Sequence, residues 1–116
     1  MRRGDIWLVE FDPSRGSESA RTRPAVIVSN DGANAAAGRS DGGVLTVVPL
    51  TTNVDRVYAF QSLLQAEDTG LRAPSKAQAE QVRSVSVRRL VRQLGVVHPS
   101  RMAELDRALR LHLALE

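Results

Sequence analysis

Arg21-Thr22-Arg23-Pro24-Ala25-Val26-Ile27-Val28-Ser29-Asn30 is the stretch from which the fold of this chain is read. Val26, Ile27 and Val28 are consecutive β-branched residues, which suits a strand buried on both faces. Pro24 stands at the start of that strand, where a missing N–H does least harm. A proline pushes the residue before it into an extended conformation, so Arg23 is held straight at the mouth of the strand. Asn30 and Asp31 follow as turn or helix-cap residues. A cation fixed at the rim of a rigid strand is suited to holding an oxyanion or a phosphate.

Working outward, Asp5–Asp12 reads as a first strand, with Trp7, Val9 and Phe11 as its better core face. Pro13–Ala20 is small, polar and punctuated by Gly and Pro, a surface loop. Residues 31–37 make one or two helical turns, which Gly38–Gly43 end. Val44–Leu50 is an apolar central strand, with Pro49 interrupting its ladder before Thr51-Thr52-Asn53. Val57–Leu64 reads as a further strand, ending in the turn cluster Glu67-Asp68-Thr69-Gly70. Pro74–Val87 reads as one strand with polar residues on both faces, an edge strand or the floor of a site. Arg88–Leu90 connects it to a last strand, Leu94–Val97. From Pro99 onward the spacing of Met102, Leu105, Leu109 and Leu113, widened by Ala108 and Leu111, predicts a helix packed on the core. Ser100 caps it or Pro99 occupies its first turn; Asp106 and Arg110 pair on its outer side. Short strands, Gly/Pro turns and one terminal helix predict a mainly β protein, a small, partly open barrel with helical additions, and residues 1–116 form a single domain.

Composition narrows the function. The chain has no cysteine, which excludes disulfides and zinc–thiolate sites and suits a reducing cytoplasm. No apolar run approaches membrane-spanning length. The net charge is only +3, but Lys76 is the sole lysine among the 16 cations. Arginine makes bidentate contacts to phosphate that lysine cannot. The aromatics are limited to Trp7, Phe11, Tyr58 and Phe60, too few for base stacking to be the main mode of nucleic-acid binding. There is no Gly-rich phosphate loop, no HExxH motif and no carboxylate cluster suited to magnesium. His98 and His112 fall near and within the last helix, without the order of a Ser-His-Asp triad. A metal-free reaction using Arg, Thr, Glu and Gln remains.

An ordered set of short motifs sharpens this. Arg3-Gly4-Asp5-Ile6-Trp7, Asp12-Pro13, Gly16-Ser17-Glu18, Arg23–Asp31, Val48-Pro49-Leu50-Thr51, Glu80–Ser84 and the closing Leu111–Leu115 together resemble the MazF/PemK toxin endoribonucleases of toxin–antitoxin modules. The resemblance covers nearly the whole chain. It implies an SH3-like partly open β-barrel with a C-terminal helix, a homodimer, no cofactor, and an antitoxin partner resembling MazE. It implies metal-independent, sequence-specific cleavage of single-stranded RNA to 2′,3′-cyclic phosphate and 5′-hydroxyl ends, with growth arrest through translation. Arg23 matches the family's catalytic arginine and Thr51 its catalytic threonine. Glu80 stands where some relatives carry an acid proposed as base. Arginine stays protonated, so Arg23 suits a phosphate clamp better than a proton donor; Thr51 suits a hydrogen-bonding orienter. Ser17, Glu18, Thr52, Asn53, Gln78, Gln81, Arg83 and Ser84 are expected along the RNA. Ser17 replaces a histidine, and Gln78 an arginine, of some relatives, so mechanisms relying on those side chains do not transfer. Trp7 is expected in the core or a dimer interface.

Two other functions share this architecture. A gyrase-binding toxin resembling CcdB depends on a tryptophan-containing C-terminus, whereas this chain ends Leu113-Ala114-Leu115-Glu116. A nucleic-acid-binding regulator without catalysis would not need Arg23 and Thr51.

Overall fold

The strand predicted around Arg23 is present as β2 (Arg21–Ile27), antiparallel to β1 (Asp5–Asp12), in a computed structural model that describes residues 1–12 and 21–116. The predicted loop at Pro13–Ala20, with Ser17 and Glu18, lies outside the described residues. After β2, the Asn30 side chain accepts a hydrogen bond from the Ala33 N–H and so caps helix α1 (Asp31–Gly38), a favoured way of satisfying a free helix N-terminus. Strands β3 (Val44–Thr51), β4 (Gln61–Leu64), β5 (Ser75–Gln78), β6 (Arg83–Ser86) and β7 (Leu90–Val96) complete the sheet, with helix α2 (Ala66–Thr69) between β4 and β5 and helix α3 (Pro99–Leu113) at the end. The strand order is β4-β5-β3-β2-β1-β7, with β6 also on β3, and every pair is antiparallel. The sheet is not closed, which matches the partly open barrel expected from the sequence.

Two cores sit on the two faces of this sheet. Ile6, Val26, Val48, Leu50, Leu64 and Ala77 pack with Leu105 and Ala108 of α3. Val9, Phe11, Ala25, Ile27, Leu45 and Val47 pack with Ala37 of α1 and Val85 of β6, with Trp7 against them. The β1 expectation is therefore corrected: Trp7, Val9 and Phe11 do face a core, but Ile6 on the opposite face is equally buried. Val26 and Ile27 likewise serve opposite cores, as a strand buried on both faces requires.

Three further expectations change. Pro74–Val87 is not one strand. A 3-10 turn at Ala79–Gln81 divides it into β5 and β6. Between Leu50↔Ala77 and Val47↔Arg83, three steps along β3 are matched by six along the partner. The odd excess reverses the side-chain alternation, so Ala77 faces the α3 core and Val85 the other. Pro49 does not interrupt β3; it pairs opposite Ala25, and the strand continues to Thr51 by pairing with β5. The strand expected from Val57 begins only at Gln61, where a turn closes through the Gln61 N–H to the Tyr58 carbonyl.

The helices also differ in detail. His98, rather than Ser100, caps α3: its ring nitrogen accepts from the Ser100 N–H, with Pro99 in the first turn. Asp106 pairs with Arg3, not Arg110; Arg3 Nη2 donates to it at 2.5 Å while Nε donates to the Val28 carbonyl. The turn cluster at 67–70 is the short helix α2, closed by Gly70 at φ 80°, a left-handed conformation that glycine adopts without strain.

Candidate active site

The register of the sheet brings Arg23 and Thr51 together. The β2–β3 pairing ends at Ala25↔Pro49, and Arg23 and Thr51 each lie two residues beyond it, where the two strands leave their ladder. Both line one cavity of about 240 Å³ with Pro24, Leu50, Thr52 and Ser75. Pro24 is the fourth residue of β2, opposite Leu8 in the middle of the β1–β2 pairing rather than at the start of the strand as the sequence suggests. Arg23 before it is extended, as a residue preceding proline tends to be.

Arg23 is held by neutral groups. Its Nη2 donates to the Leu50 carbonyl at 3.2 Å and to Gln78 Oε1 at 2.5 Å. None of the ion pairs among the described residues involves Arg23. The guanidinium is thus oriented from one side, and among the described residues its charge has no carboxylate partner. Its remaining N–H groups form the planar fork that suits phosphate. Thr51 Oγ1 accepts from the Asn53 N–H at 3.2 Å. With that lone pair used, the hydroxyl proton is turned to donate elsewhere. Asn53 in turn accepts from the Asp55 N–H, which shapes the loop after β3.

Glu80 is placed differently. It sits in the 3-10 turn, not on a strand, and does not line the Arg23 cavity. Its Oε2 accepts from Gln61 Nε2 at 2.6 Å, and its Oε1 is buried without a partner. Gln61 and Gln78 are opposite one another on β4 and β5. The two glutamines are therefore neighbours across these strands, Gln61 holding the Glu80 carboxylate and Gln78 the Arg23 guanidinium.

The remaining predicted residues fall into two groups. Thr52 lines the cavity and Gln78 orients its arginine. Gln81, Arg83 and Ser84 are exposed around the start of β6. Arg83 and Ser84 pair with Val47 and Thr46, four and five positions along β3 from Thr51, or ~13–17 Å at strand rise. Arg83 stands over the Phe11 ring at 5.2 Å. Trp7 packs on a core cluster, as expected.

Two functional residues escaped the sequence reading. Gln61 and Lys76 are both buried polar residues, 8% exposed each. Gln61 holds Glu80 and accepts from the Tyr58 N–H, while Lys76 Nζ donates to the Arg56 carbonyl at 2.6 Å. The signal for Lys76 was its singularity, one lysine in a chain that otherwise uses arginine.

Comparison with known proteins then locates the fold among relatives. Residues 2–113 match the family described as PemK-like, MazF-like toxin of type II toxin–antitoxin system. The chain is 57% identical over 115 residues to endoribonuclease MazF9 of Mycobacterium tuberculosis, covering 99% of this chain and 98% of that protein. It is 31% identical to endoribonuclease MazF of Staphylococcus epidermidis, covering 99% and 92%. Among solved structures, a MazE–MazF crystal structure from Deinococcus radiodurans superposes with a TM-score of 0.81 at 25% identity, covering 100% of this chain and 97% of that one.

Proposed function

The chain belongs to the PemK-like, MazF-like toxin family and is a MazF-type endoribonuclease of a toxin–antitoxin system, and from that premise we propose that it cuts single-stranded RNA at chosen sequences without a metal ion. The ribose 2′-hydroxyl attacks the adjacent phosphorus, the 5′-oxygen of the next nucleotide leaves, and the products carry a 2′,3′-cyclic phosphate and a 5′-hydroxyl. Arg23 clamps the non-bridging oxygens, where negative charge grows in the phosphorane. Thr51 donates its hydroxyl to the same phosphate and fixes its orientation. Glu80 is the base of this reading and takes the 2′-hydroxyl proton, while water protonates the departing 5′-oxygen; its carboxylate is held by Gln61. A general base must come within hydrogen-bond reach of the proton it takes, so this role requires Glu80 to turn toward the bound RNA.

The observation that carries the reading is that Arg23 and Thr51 line one cavity, with Arg23 oriented there by two neutral acceptors. The full-length relatives named endoribonuclease favour cleavage over gyrase binding or a purely regulatory role. The protein acts in the cytoplasm, where loss of messenger RNA stops translation and growth, and a MazE-like antitoxin restrains it. Exposed Val44, Val96, Leu111, Leu113 and Leu115 favour a homodimer, since apolar surface of this kind is usually covered.

Incubating the purified protein with a long, defined single-stranded RNA in EDTA, and mapping the ends, tests this. Discrete cuts with 5′-hydroxyl and cyclic-phosphate ends are expected. Arg23→Ala should lower the rate by ~10²–10³, as loss of one oxyanion donor typically does, with an unchanged melting temperature. A folded Arg23→Ala protein of full activity would refute the site.

A further inference from the structure

The loop that leaves the Arg23 cavity is built more rigidly than a connection needs to be. It runs from Thr51 to β4 over residues 52–60. Tyr58 and Phe60 stack in it with ring centroids 5.1 Å apart and planes 4° from parallel. The Arg56 guanidinium stands over the Tyr58 ring at 5.7 Å and donates from Nη1 to the Tyr58 hydroxyl at 3.2 Å. Tyr58 is nonetheless 44% exposed. Of the four aromatics in the chain, Trp7 and Phe11 belong to a core, so the aromatic surface left over is concentrated here.

The arrangement is fastened to the strand positions that build the active site. Lys76 is the cross-strand partner of Thr51, and its buried ammonium group donates to the Arg56 carbonyl. Burying an ammonium group is costly unless it is hydrogen-bonded, and this one spends its recorded bond on holding the loop backbone. Gln61, which holds Glu80, also accepts from the Tyr58 N–H. Two of the site's supporting side chains thus fix the loop on either side of Val57. Arg56 and Tyr58 are thereby tied to residues that neighbour Thr51 and Glu80.

We propose that Arg56, Tyr58 and Phe60 form a nucleobase-binding platform, on which one unpaired base beside the scissile phosphate stacks, and that this contact contributes to the choice of cutting site. The proposal rests on the endoribonuclease reading above. Aromatic faces and arginine planes are the surfaces on which splayed RNA bases stack. The Arg56 cation adds attraction for the flanking phosphate and for the ring it covers. With one platform, one base is held, which agrees with a composition too poor in aromatics for stacking along the whole strand.

The test is cleavage kinetics of wild type, Tyr58→Ala, Tyr58→Leu and Tyr58→Phe on a short RNA containing one mapped cut site. A second set of the same RNA carries a single abasic nucleotide, moved one position at a time around the cut. Tyr58→Ala and Tyr58→Leu should raise KM by about 5- to 100-fold, the range for loss of one stacked base, and should cut at additional sites. Tyr58→Phe should behave as wild type, because the ring face is kept. One abasic position should impair wild type and add nothing to the defect of Tyr58→Ala. Unchanged KM and cut sites in a folded Tyr58→Ala protein would overturn the platform and leave the endoribonuclease reading standing. If wild type binds the long single-stranded RNA but cuts it nowhere, so that no site can be mapped, that reading fails, and the dissociation constants of the same proteins for that RNA decide the platform. If wild type neither cuts nor binds, both fall.

Discussion

Arg23 and Gln78 form the contact that most directly sets the geometry of the site. Gln78 Oε1 accepts from the same guanidinium nitrogen that donates to the Leu50 carbonyl, so removing the amide leaves Arg23 with one anchor. Hydrogen bonds to charged groups contribute about 1.5–3 kcal/mol, and part of that here is orientation. Gln78→Leu should therefore lower kcat by roughly tenfold to a hundredfold, less than Arg23→Ala. Gln78→Glu tests the opposite quality. It keeps the shape but supplies a carboxylate that competes with RNA for the arginine, so KM should rise more than kcat falls. Single-turnover and steady-state measurements on one RNA separate the two outcomes. Equal kinetics for all three proteins would mean that Gln78 does not position Arg23. Arg23, Thr51 and Thr52 were singled out in the sequence because the motif resemblance covers Arg23 and Thr51, with an Arg-Pro pair and a strand end beside them. Gln61 and Lys76 were not, because their importance comes from burial and from partners 19 and 20 residues away in the chain.

At the scale of elements, α2 ties the edge strand β4 to β7 and α3 through one carboxylate. Asp68 Oδ2 accepts from the Gln65 N–H, closing the capping box of α2, and pairs with Arg101 of α3 at 3.3 Å. The Asp68 carbonyl also accepts from the His98 N–H. A Cβ on Gly95 of β7 would collide with the Thr69 carbonyl, so β7 comes close to α2 only because residue 95 is glycine. The Gln65 N–H, and after it Arg101, hold the Asp68 carboxyl below its usual pKa of 3.8. A carboxyl depressed in the folded state adds stability above its unfolded pKa, and that stability is lost as pH falls through the folded value. Melting temperature should accordingly fall with acid below about pH 4. Asp68→Asn should lower it at neutral pH and flatten this acid limb; an acid limb as steep as that of wild type would assign the dependence to other carboxylates. The short elements are also where the sequence reading went astray. A tight 3-10 turn of three residues leaves no periodic trace, yet it reverses which side chains of residues 75–86 face which core. The long signals, the β-branched run of β2 and the helical period of α3, were legible because many residues repeat them. Of the α3 stripe, however, only Met102, Leu105, Ala108 and Leu109 pack on the core, while Leu111 and Leu113 are exposed.

For the whole molecule, the net charge of +3 is too small for RNA to be drawn in by overall attraction, and the placement of individual arginines decides instead. Arg2, Arg3, Arg88, Arg89 and Arg101 are engaged by carboxylates. Arg23, Arg56 and Arg83 stand outside every ion pair among the described residues, one in the cavity, one on the loop beyond it, and one on β6 across β3. Three phosphates met by these residues would release counterions with a log–log salt slope of about 2 for a single strand. Between 50 and 200 mM salt, KM for a short RNA spanning the site should rise roughly 20-fold. Arg83→Ala should reduce the slope by about 0.7 without changing kcat for RNA held at saturation. Arg23→Ala should reduce the slope and lower kcat by ~10²–10³ together. Were the Arg83→Ala slope equal to that of wild type, the RNA would leave the cavity on the Tyr58 side only. The β6 surface would then be free for the antitoxin alone. The salt series thus maps the path of the strand from two substitutions.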